Sequence, residues 1–380
     1  MVRRALRRAS STARKTRRTV QRKQKEKKRR TRRAFRSDEE LAKLLESAKA
    51  RIRVFGVGGG GCNTIARMTE VGIVGAETVA VNTDAQDLLA TPADKKLLIG
   101  RKLTRGLGSG SDPQIGEAAA RESIEEIREV LEETDLAFIT CGLGGGTGTG
   151  GAPIIAEIAK ECKALTVAIV TLPFTVEGKR RMENAMMGLA NLRKHADTII
   201  VIPNDKILEI APDLPLNAAF KVADEVLTNA VKGITELVTK PGLINLDFAD
   251  LKTILRKGGA AMIGLGESHT TESGETRALE AAENALASPL LDVDISHANR
   301  ALVNVVGGTD MTLKEAELIV ETVASRINPG AHIIWGAMID ETIPKNKVKA
   351  MVVVAGGRFP YLEEGSKEKP TIDLGIEFTE

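Results

Sequence analysis

Two stretches of this sequence carry glycine at an unusual density: "GVGGGGCNT", Gly56 to Thr64, and "CGLGGGTGTGGAP", Cys141 to Pro153. Glycine costs backbone entropy on folding, so such runs imply that something comes close to the main chain. Each run follows a strand-like segment and precedes a helical one. In that arrangement backbone N–H groups at a helix start surround an anion, and the helix dipole favours it. Two such turns on the carboxyl edge of one parallel sheet point to a phosphate chain, because that edge is where such folds bind ligands. Thr147 and Thr149 add candidate hydroxyl donors. "GVGGGG" also satisfies G-x-G-x-x-G, but a nicotinamide site wants an acidic residue ending the second strand. That strand ends "VNTDAQ", with Asn82 at the tip and Asp84 displaced into the turn, and a dinucleotide fold has no use for the second cluster. The pattern G-x-x-x-x-G-K-[ST] is absent, which excludes a Walker-type NTPase.

Two further groupings have chemical potential. Phe220 and Asp224 stand at i, i+4 and share a helix face. In "NLDFADLKTILRKGG", Asp247 and Asp250 stand three apart before an amphipathic segment closed by Gly258. On pattern alone, Phe220 is core and Asp224 a solvated helix residue. Asp247 is then an N-cap, and Asp250 a carboxylate complementing the helix dipole.

These residues need elements to hold them. "RIRVFGV", "ETVAVNT", "KKLLIG", "DLAFITC", "LTVAIVTL" and "TIIVIP" read as strands, separated by helical patterns such as "GEAAARESIEEIREVLEET" and "GGAPIIAEIAKECK". Near-continuous apolar strands alternating with helices predict an α/β fold with a doubly wound, mostly parallel sheet over about residues 51–203. A long helix follows, with Phe220, Ala223, Leu227, Ala230, Ile234, Leu237 and Val238 at helical spacing, ended by Pro241-Gly242. Beyond it, "ETRALEAAENALASP" and "TLKEAELIVETVASRI" read as helices among the strands "ANRALVNVVGG", "HIIWGAMID" and "KVKAMVVVAGG", a second and smaller α/β domain. The expected division is a basic arm 1–36, a nucleotide-binding domain 37–216, a central helix 217–242, a C-terminal domain 243–357 and a short tail 358–380. "SDEELAKLLESAKA" opens with Ser37 and Glu40 at capping-box spacing, so a helix is expected from there.

The chain has 380 residues and a net charge of +3 that hides an asymmetry. Residues 1–36 hold 18 Lys and Arg against one acid, Glu26, which leaves 36 basic and 50 acidic residues, a net −14, for the rest. Three cysteines, Cys62, Cys141 and Cys162, form no CxxC pair, and four scattered histidines have no metal-ligand spacing. No apolar run is long enough to span a bilayer, and the arginine-rich start has no secretory h-region.

"GGGTGTG", Gly144 to Gly150, resembles the tubulin/FtsZ signature. "GVGGGGCN", "NTDAQ", "RGLGSGSDP", "LPFTVEGKRR", "IPND" and "GLINLDFAD" resemble further FtsZ loops in the family's order. The resemblance covers about residues 38–356 and is of the archaeal type. It implies a cytoplasmic GTPase that polymerises head to tail into protofilaments at the mid-cell division site. GTP or GDP would be bound with Mg²⁺ held through phosphate oxygens and not by side chains. Gly59, Gly60, Gly61, Cys62 and Asn63 would lie along the phosphates, with Gly144, Gly145, Gly146, Thr147, Gly148 and Thr149 opposite. Glu177 and Arg181 match a sugar- and phosphate-contacting pair, and Asn204 a position beside the base. Asn82 with Gly108, Ser109 and Gly110 would close the γ-phosphate end.

The resemblance also brings Phe220 and Asp224 to the base. A carboxylate accepts two hydrogen bonds from guanine N1–H and its 2-amino group, whereas adenine leaves it unsatisfied. Asn245, Asp247 and Asp250 would belong to a catalytic loop that enters the nucleotide site of the adjacent subunit. A competing implication is a regulatory or scaffold member that binds nucleotide without dividing cells; retention of both aspartates opposes it. The basic arm reads as a solvated tail, as a nucleic-acid-binding segment with Phe35 its single aromatic, or as a contact to anionic lipid. An Arg/Ser/Thr-rich leader also resembles an organellar transit peptide, which the archaeal character of the body opposes. "IDLGIEF" in the tail is a candidate peptide for a membrane-adaptor protein.

Overall fold

The computed structural model describes residues 50–356, apart from 211–214, 241, 245, 257, 271–273 and 292–293. The expectations for the basic arm, the helix from Ser37, Pro241, Asn245 and the tail lie outside the described residues. The chain begins with β1 (Ile52–Val57), α1 (Gly58–Val71), β2 (Ala76–Asn82), α2 (Ala85–Ala90) and β3 (Lys95–Leu98). Helices α3 (Arg101–Thr104), α4 (Pro113–Glu122) and α5 (Ile124–Leu131) lead to β4 (Leu136–Gly142). Next come α6 (Thr147–Glu161), β5 (Leu165–Leu172), α7 (Lys179–Leu192), β6 (Thr198–Pro203) and α8 (Asn204–Ile210). The long α9 (Leu216–Thr239) and α10 (Phe248–Leu255) precede β7 (Gly259–Glu267) and α11 (Glu275–Leu286). The described elements end with β8 (Arg300–Gly307), α12 (Leu313–Ala324), β9 (His332–Ile339) and β10 (Val348–Ala355).

All ten strands form one sheet in the order β3-β2-β1-β4-β5-β6-β7-β10-β8-β9. Strands β3 to β7 are parallel, β10 runs antiparallel to β7 and β8, and β8 and β9 are parallel. The doubly wound, mostly parallel α/β expectation holds, and each strand read from sequence is a strand. The second unit, however, grows directly on the first through β7, which sequence patterning misses. Its stretch "GAAMIGLGE" is rich in small residues, and the reason is α11. A Cβ on Gly264 would lie 2.1 Å from Ala285 O, and one on Gly266 2.2 Å from Ala281 O. The expected single helix over "GEAAARESIEEIREVLEET" is also broken, at Ser123, whose hydroxyl oxygen accepts the Gly100 N–H at 3.2 Å.

Helix α9 is 24 residues long, about 36 Å. Its inner face, Ala223, Leu227, Ala230, Val231, Ile234 and Leu237, packs in one cluster with Ile200 and Ile202 of β6. The same cluster takes in Ile263 of β7, Leu302 of β8, Ile334 of β9 and Val353 of β10. Both halves of the sheet therefore share one apolar layer. On the opposite face, α4 to α7 cover the first half and α11 and α12 the second.

One buried charge cluster ties α11 to α12. Arg277, 1% exposed, donates from Nε to Glu315 Oε1 at 2.5 Å and from Nη1 to Asp310 Oδ2 at 2.7 Å. Glu315 also accepts the Thr312 N–H and hydroxyl, as the capping box of α12. Burial pushes the Glu315 carboxyl up, but the guanidinium and the Thr312 donors together bring it below its ordinary range. The guanidinium likewise holds Asp310 low. Carboxylates depressed in the folded state contribute stability above their unfolded pKa and lose it as pH falls through the folded one. Arg277→Leu strands a buried carboxylate and is expected to cost about 3–5 kcal/mol by denaturant unfolding, with Arg277→Leu/Glu315→Leu recovering part of it.

Candidate functional site

A cleft of about 950 Å³ runs along the carboxyl ends of the parallel strands. It is lined by the turns after β1, β2, β4 and β5, by the start of α8 and by the first turns of α9. Strands in a sheet stand about 4.8 Å apart, so the four steps from β6 to β2 span about 19 Å. An elongated ligand lying across these strand ends fits this span.

At the β6 end, Asn204 is the first residue of α8, and its buried Oδ1 has no hydrogen-bond partner among the described residues. Asp224 points from α9 into the same end and accepts the Thr64 hydroxyl at 2.9 Å. Burial pushes its carboxyl from 3.8 up to about 6, against the lowering effects of Thr64 and Arg67. Phe220, one turn earlier, is 39% exposed and stands edge-to-face on Phe174, with ring centroids 5.0 Å apart. An orphaned acceptor, a buried carboxylate and an open aromatic face suit a flat heterocycle carrying adjacent N–H donors.

At the middle, Glu177 forms an ion pair with Arg181 and accepts the Phe174 N–H at 2.8 Å. Gly59, Gly60 and Asn63 line one wall, and Gly145, Gly146, Thr147 and Gly148 the other. At the β2 end, Gly108, Ser109 and Gly110 line the cleft with Asn82 and Asp87. The Asn82 amide is used within the protein. Its Oδ1 accepts the Thr83 N–H at 2.8 Å and its Nδ2 donates to Asp87 Oδ2 at 2.6 Å. Asn82 thus shapes the turn.

Four expected residues do not line the cleft: Gly61, Cys62, Gly144 and Thr149. Cys62 turns into the core, where burial and the Asp87 charge push its thiol up to about 11. Thr149 is buried and its hydroxyl oxygen accepts the Gly144 N–H at 2.9 Å, bracing the loop from behind. Gly61 is pressed on β1 and β4, its Cβ position 2.6 Å from Gly56 C and 2.7 Å from Thr140 O. The glycine density therefore has two causes, and a phosphate explains only one. Gly150 sits where α6 crosses α4, and a Cβ there would meet Pro113 O at 2.0 Å. By contrast a Cβ on Gly145 would meet nothing within 4 Å, and one on Gly59 only Asp87 Oδ2 at 3.6 Å.

Asp247 and Asp250 are not in the cleft. They form a reciprocal capping box at the start of α10: Asp247 Oδ1 accepts the Asp250 N–H at 2.8 Å, and Asp250 Oδ2 accepts the Asp247 N–H at 3.2 Å. Helix α9 separates them from the cleft. Its far end lies where the Thr239 hydroxyl donates to Val74 O at 3.1 Å, at the entry to β2 on the opposite edge of the sheet. Next to it, Leu243 N donates to Ala337 O of β9 at 2.7 Å.

The sequence profile of the Tubulin/FtsZ family GTPase domain matches residues 51–212, and that of the FtsZ family C-terminal domain matches residues 259–358. The chain belongs to the FtsZ family. Cell division protein FtsZ 1 from Thermococcus kodakarensis is 61% identical over 348 residues, covering 90% of this chain and 92% of that one. Its counterpart from Methanocaldococcus jannaschii is 58% identical over 341 residues, covering 89% and 92%. The solved structure of an empty FtsZ dimer from M. jannaschii superposes with a TM-score of 0.80 at 59% identity, over 84% of this chain and 92% of that one. CetZ2 from Haloferax volcanii, solved as a GTPγS-bound protofilament, shares the fold at a TM-score of 0.71 and 23% identity, over 81% and 93%.

Within the FtsZ framework, the cleft from Gly59 to Asn204 falls inside the matched GTPase domain, whereas Phe220 and Asp224 come after it. Sequence reasoning missed Thr64, Thr83, Asp87 and Phe174. Phe174 stands inside the quoted "LPFTVEGKRR" and Thr83 inside "NTDAQ", but only the fold shows which neighbours they touch. The two causes of glycine density are separable. Gly150→Ala is expected to cost about 3 kcal/mol or more in urea unfolding, because backbone atoms cannot yield to an added methyl. Gly145→Ala is expected to change stability by less than about 1 kcal/mol, its effect appearing only in ligand affinity.

Proposed function

We propose that this chain binds GTP in the cleft and hydrolyses it between two copies stacked head to tail in a cell-division filament. The observation that carries the reading is the separation along α9. Asp224 and Phe220 stand at one end and the capped Asp247–Asp250 pair beyond the other, Thr239 lying about 22 Å from Asp224 along the helix. A chain cannot bring these carboxylates to its own cleft, whereas a second copy stacked along α9 can. A capping box holds both side chains in fixed orientations, which suits carboxylates that position an attacking water.

The base is guanine in this reading. Ionised Asp224 accepts the N1–H and 2-amino hydrogens, Asn204 Oδ1 takes a donor it now lacks, and Phe220 covers the ring. The phosphates run past Gly59 and Gly145 towards Ser109, with the positive end of α6 facing them. Among the described residues, no group of three or more His, Cys, Asp or Glu is placed to hold a metal ion. Mg²⁺ would be held mainly by phosphate oxygens and water, as its octahedral shell prefers, and would neutralise charge on the phosphates. Self-association accords with the dimeric and protofilament forms of the relatives' solved structures. A cytoplasmic mid-cell location follows from the division role. A membrane adaptor on the tail and anionic partners for the arm remain part of the proposal.

A split site predicts negligible GTP turnover at low protein concentration and a linear rise above a threshold, together with light scattering. Turnover proportional to concentration from zero would sink the shared site. Asp247→Asn keeps an N-cap oxygen, so it should fold and bind GTP normally while losing most turnover; unchanged turnover would leave the residue a helix cap alone. Protonated Asp224 cannot accept both guanine hydrogens. With its carboxyl at about 6 in the free protein, GTP affinity should be flat above that pH. Below it, affinity should fall up to about tenfold per pH unit, by titration calorimetry. Asp224→Asn should abolish that slope.

A further inference from the structure

Asp224 does not stand free at the β6 end of the cleft. Thr64 of α1, fully buried and outside the cleft lining, donates its hydroxyl to Asp224 Oδ1 at 2.9 Å. The two helices that carry this pair are fixed against each other. Ile65 and Met68 of α1 share one buried cluster with Ala223 and Leu227 of α9. The same hydroxyl lies 3.1 Å from Gly60 O, one turn back in its own helix, and Gly60 lines the cleft wall.

A threonine hydroxyl owns one hydrogen, so it serves one of these two acceptors at a time. An ionised carboxylate is the stronger acceptor, and the hydrogen goes to Asp224. The last torsion of an aspartate joins sp³ to sp² carbon and has broad minima, so its carboxylate turns easily unless something holds it. Thr64 is a stiff holder, because a β-branched side chain in a helix has few χ1 rotamers, and one of them back-bonds to the carbonyl four residues earlier. The carboxylate plane is therefore set before any ligand arrives. Thr64 uses one lone pair of Oδ1, which leaves the other and both of Oδ2 for a ligand. Burial raises the Asp224 carboxyl, and the Thr64 hydroxyl and then the Arg67 charge oppose it. Arg67 is itself paired with Glu70, and Lys221 of α9 lines the same cleft.

Resting on the guanine-nucleotide reading above, we propose that Thr64 is a positioning residue for base selection. It acts through Asp224, holding the carboxylate in the plane from which both oxygens meet the guanine N1–H and 2-amino hydrogens. A two-point contact needs both oxygens in the plane of the base, whereas a single hydrogen bond tolerates rotation about it. Hypoxanthine offers the N1–H but no 2-amino group. Thr64 thus favours guanine over hypoxanthine without touching either base.

The test uses GDP and inosine diphosphate as probes on the full chain, by titration calorimetry below the concentration at which scattering rises. At about pH 8, with Asp224 ionised, Thr64→Val should weaken GDP by about threefold to tenfold, the scale of ordering one side chain on binding, and inosine diphosphate by less than about twofold. The pH below which GDP affinity falls should also move up from about 6, because the lost hydroxyl favoured the ionised carboxylate. Thr64→Ser keeps the hydroxyl and should restore both the GDP preference and the pH profile, which separates a lost donor from a damaged fold. Equal weakening of the two probes with an unmoved pH profile would overturn the proposal and make Thr64 a packing residue. Thr64→Ser behaving like Thr64→Val would overturn it as well. If the unmodified chain binds GDP no better than inosine diphosphate, or not at all, the guanine reading of Asp224 falls and this one with it.

Discussion

Along α9, Ala223, Ala230, Ile234 and Leu237 bury one continuous stripe against strands on both sides of the β6–β7 junction. Fully burying one Leu or Ile side chain is worth about 1.5–3 kcal/mol, so this stripe is a large stabilising element that neither half can form alone. Gly233 lets the second half come close: a Cβ there would stand 2.7 Å from Met351 Sδ, and Asn304 Nδ2 donates to Gly233 O at 3.1 Å. Glycine inside a helix costs about 1 kcal/mol of propensity, which the packing offsets. The stripe also fixes where the ends of the helix lie. One end carries Phe220 and Asp224 to the strand tips, and the other reaches Val74 and leads on to the α10 cap.

The cleft itself depends on backbone meeting backbone. The start of α1 packs on the ends of β1 and β4, and the start of α6 on α4, so closely that Gly61 and Gly150 admit no methyl, and that closeness forms the walls beside which Gly59 and Gly145 face the cleft. A tight frame and an empty cradle thus arise from the same residue type in the same few turns. Hydroxyls and amides complete the lining, most of them bonded to one another, as with Asn82 and Asp87 or Ser109 and Thr147.

Much of this was legible in the sequence. Near-continuous apolar runs such as "LTVAIVTL" and "TIIVIP" have no amphipathic period to confuse, and as strands buried on both faces they read correctly. The α9 stripe and the Asp247 cap follow from spacing alone. Strand β7 did not read, because its glycines answer to α11, which packs on it from later in the chain. Ser123 broke a helix for an equally non-local reason, a hydrogen bond from Gly100. In the site, spacing brought Phe220 beside Asp224 but could not find Phe174 or Thr64, whose relevance lies in contacts to residues far along the chain. A motif also names a run of residues without saying which side chains turn inward, and the backbone buries those of Cys62 and Thr149.

The placement of cleft and capped aspartates at opposite ends of α9 has an arithmetic consequence for the assembly proposed above. A contact that joins unlike ends is not self-complementary, so where its rotation does not close a ring it propagates as an open row with two different termini. One terminus keeps a cleft with no aspartates supplied to it, and the other keeps aspartates with no cleft to enter. A pair of copies then completes a single reaction centre, half of one per molecule, and each added copy completes one more. Specific activity consequently rises with row length towards one centre per molecule, and breaking a row in two removes one working centre without altering any copy's fold.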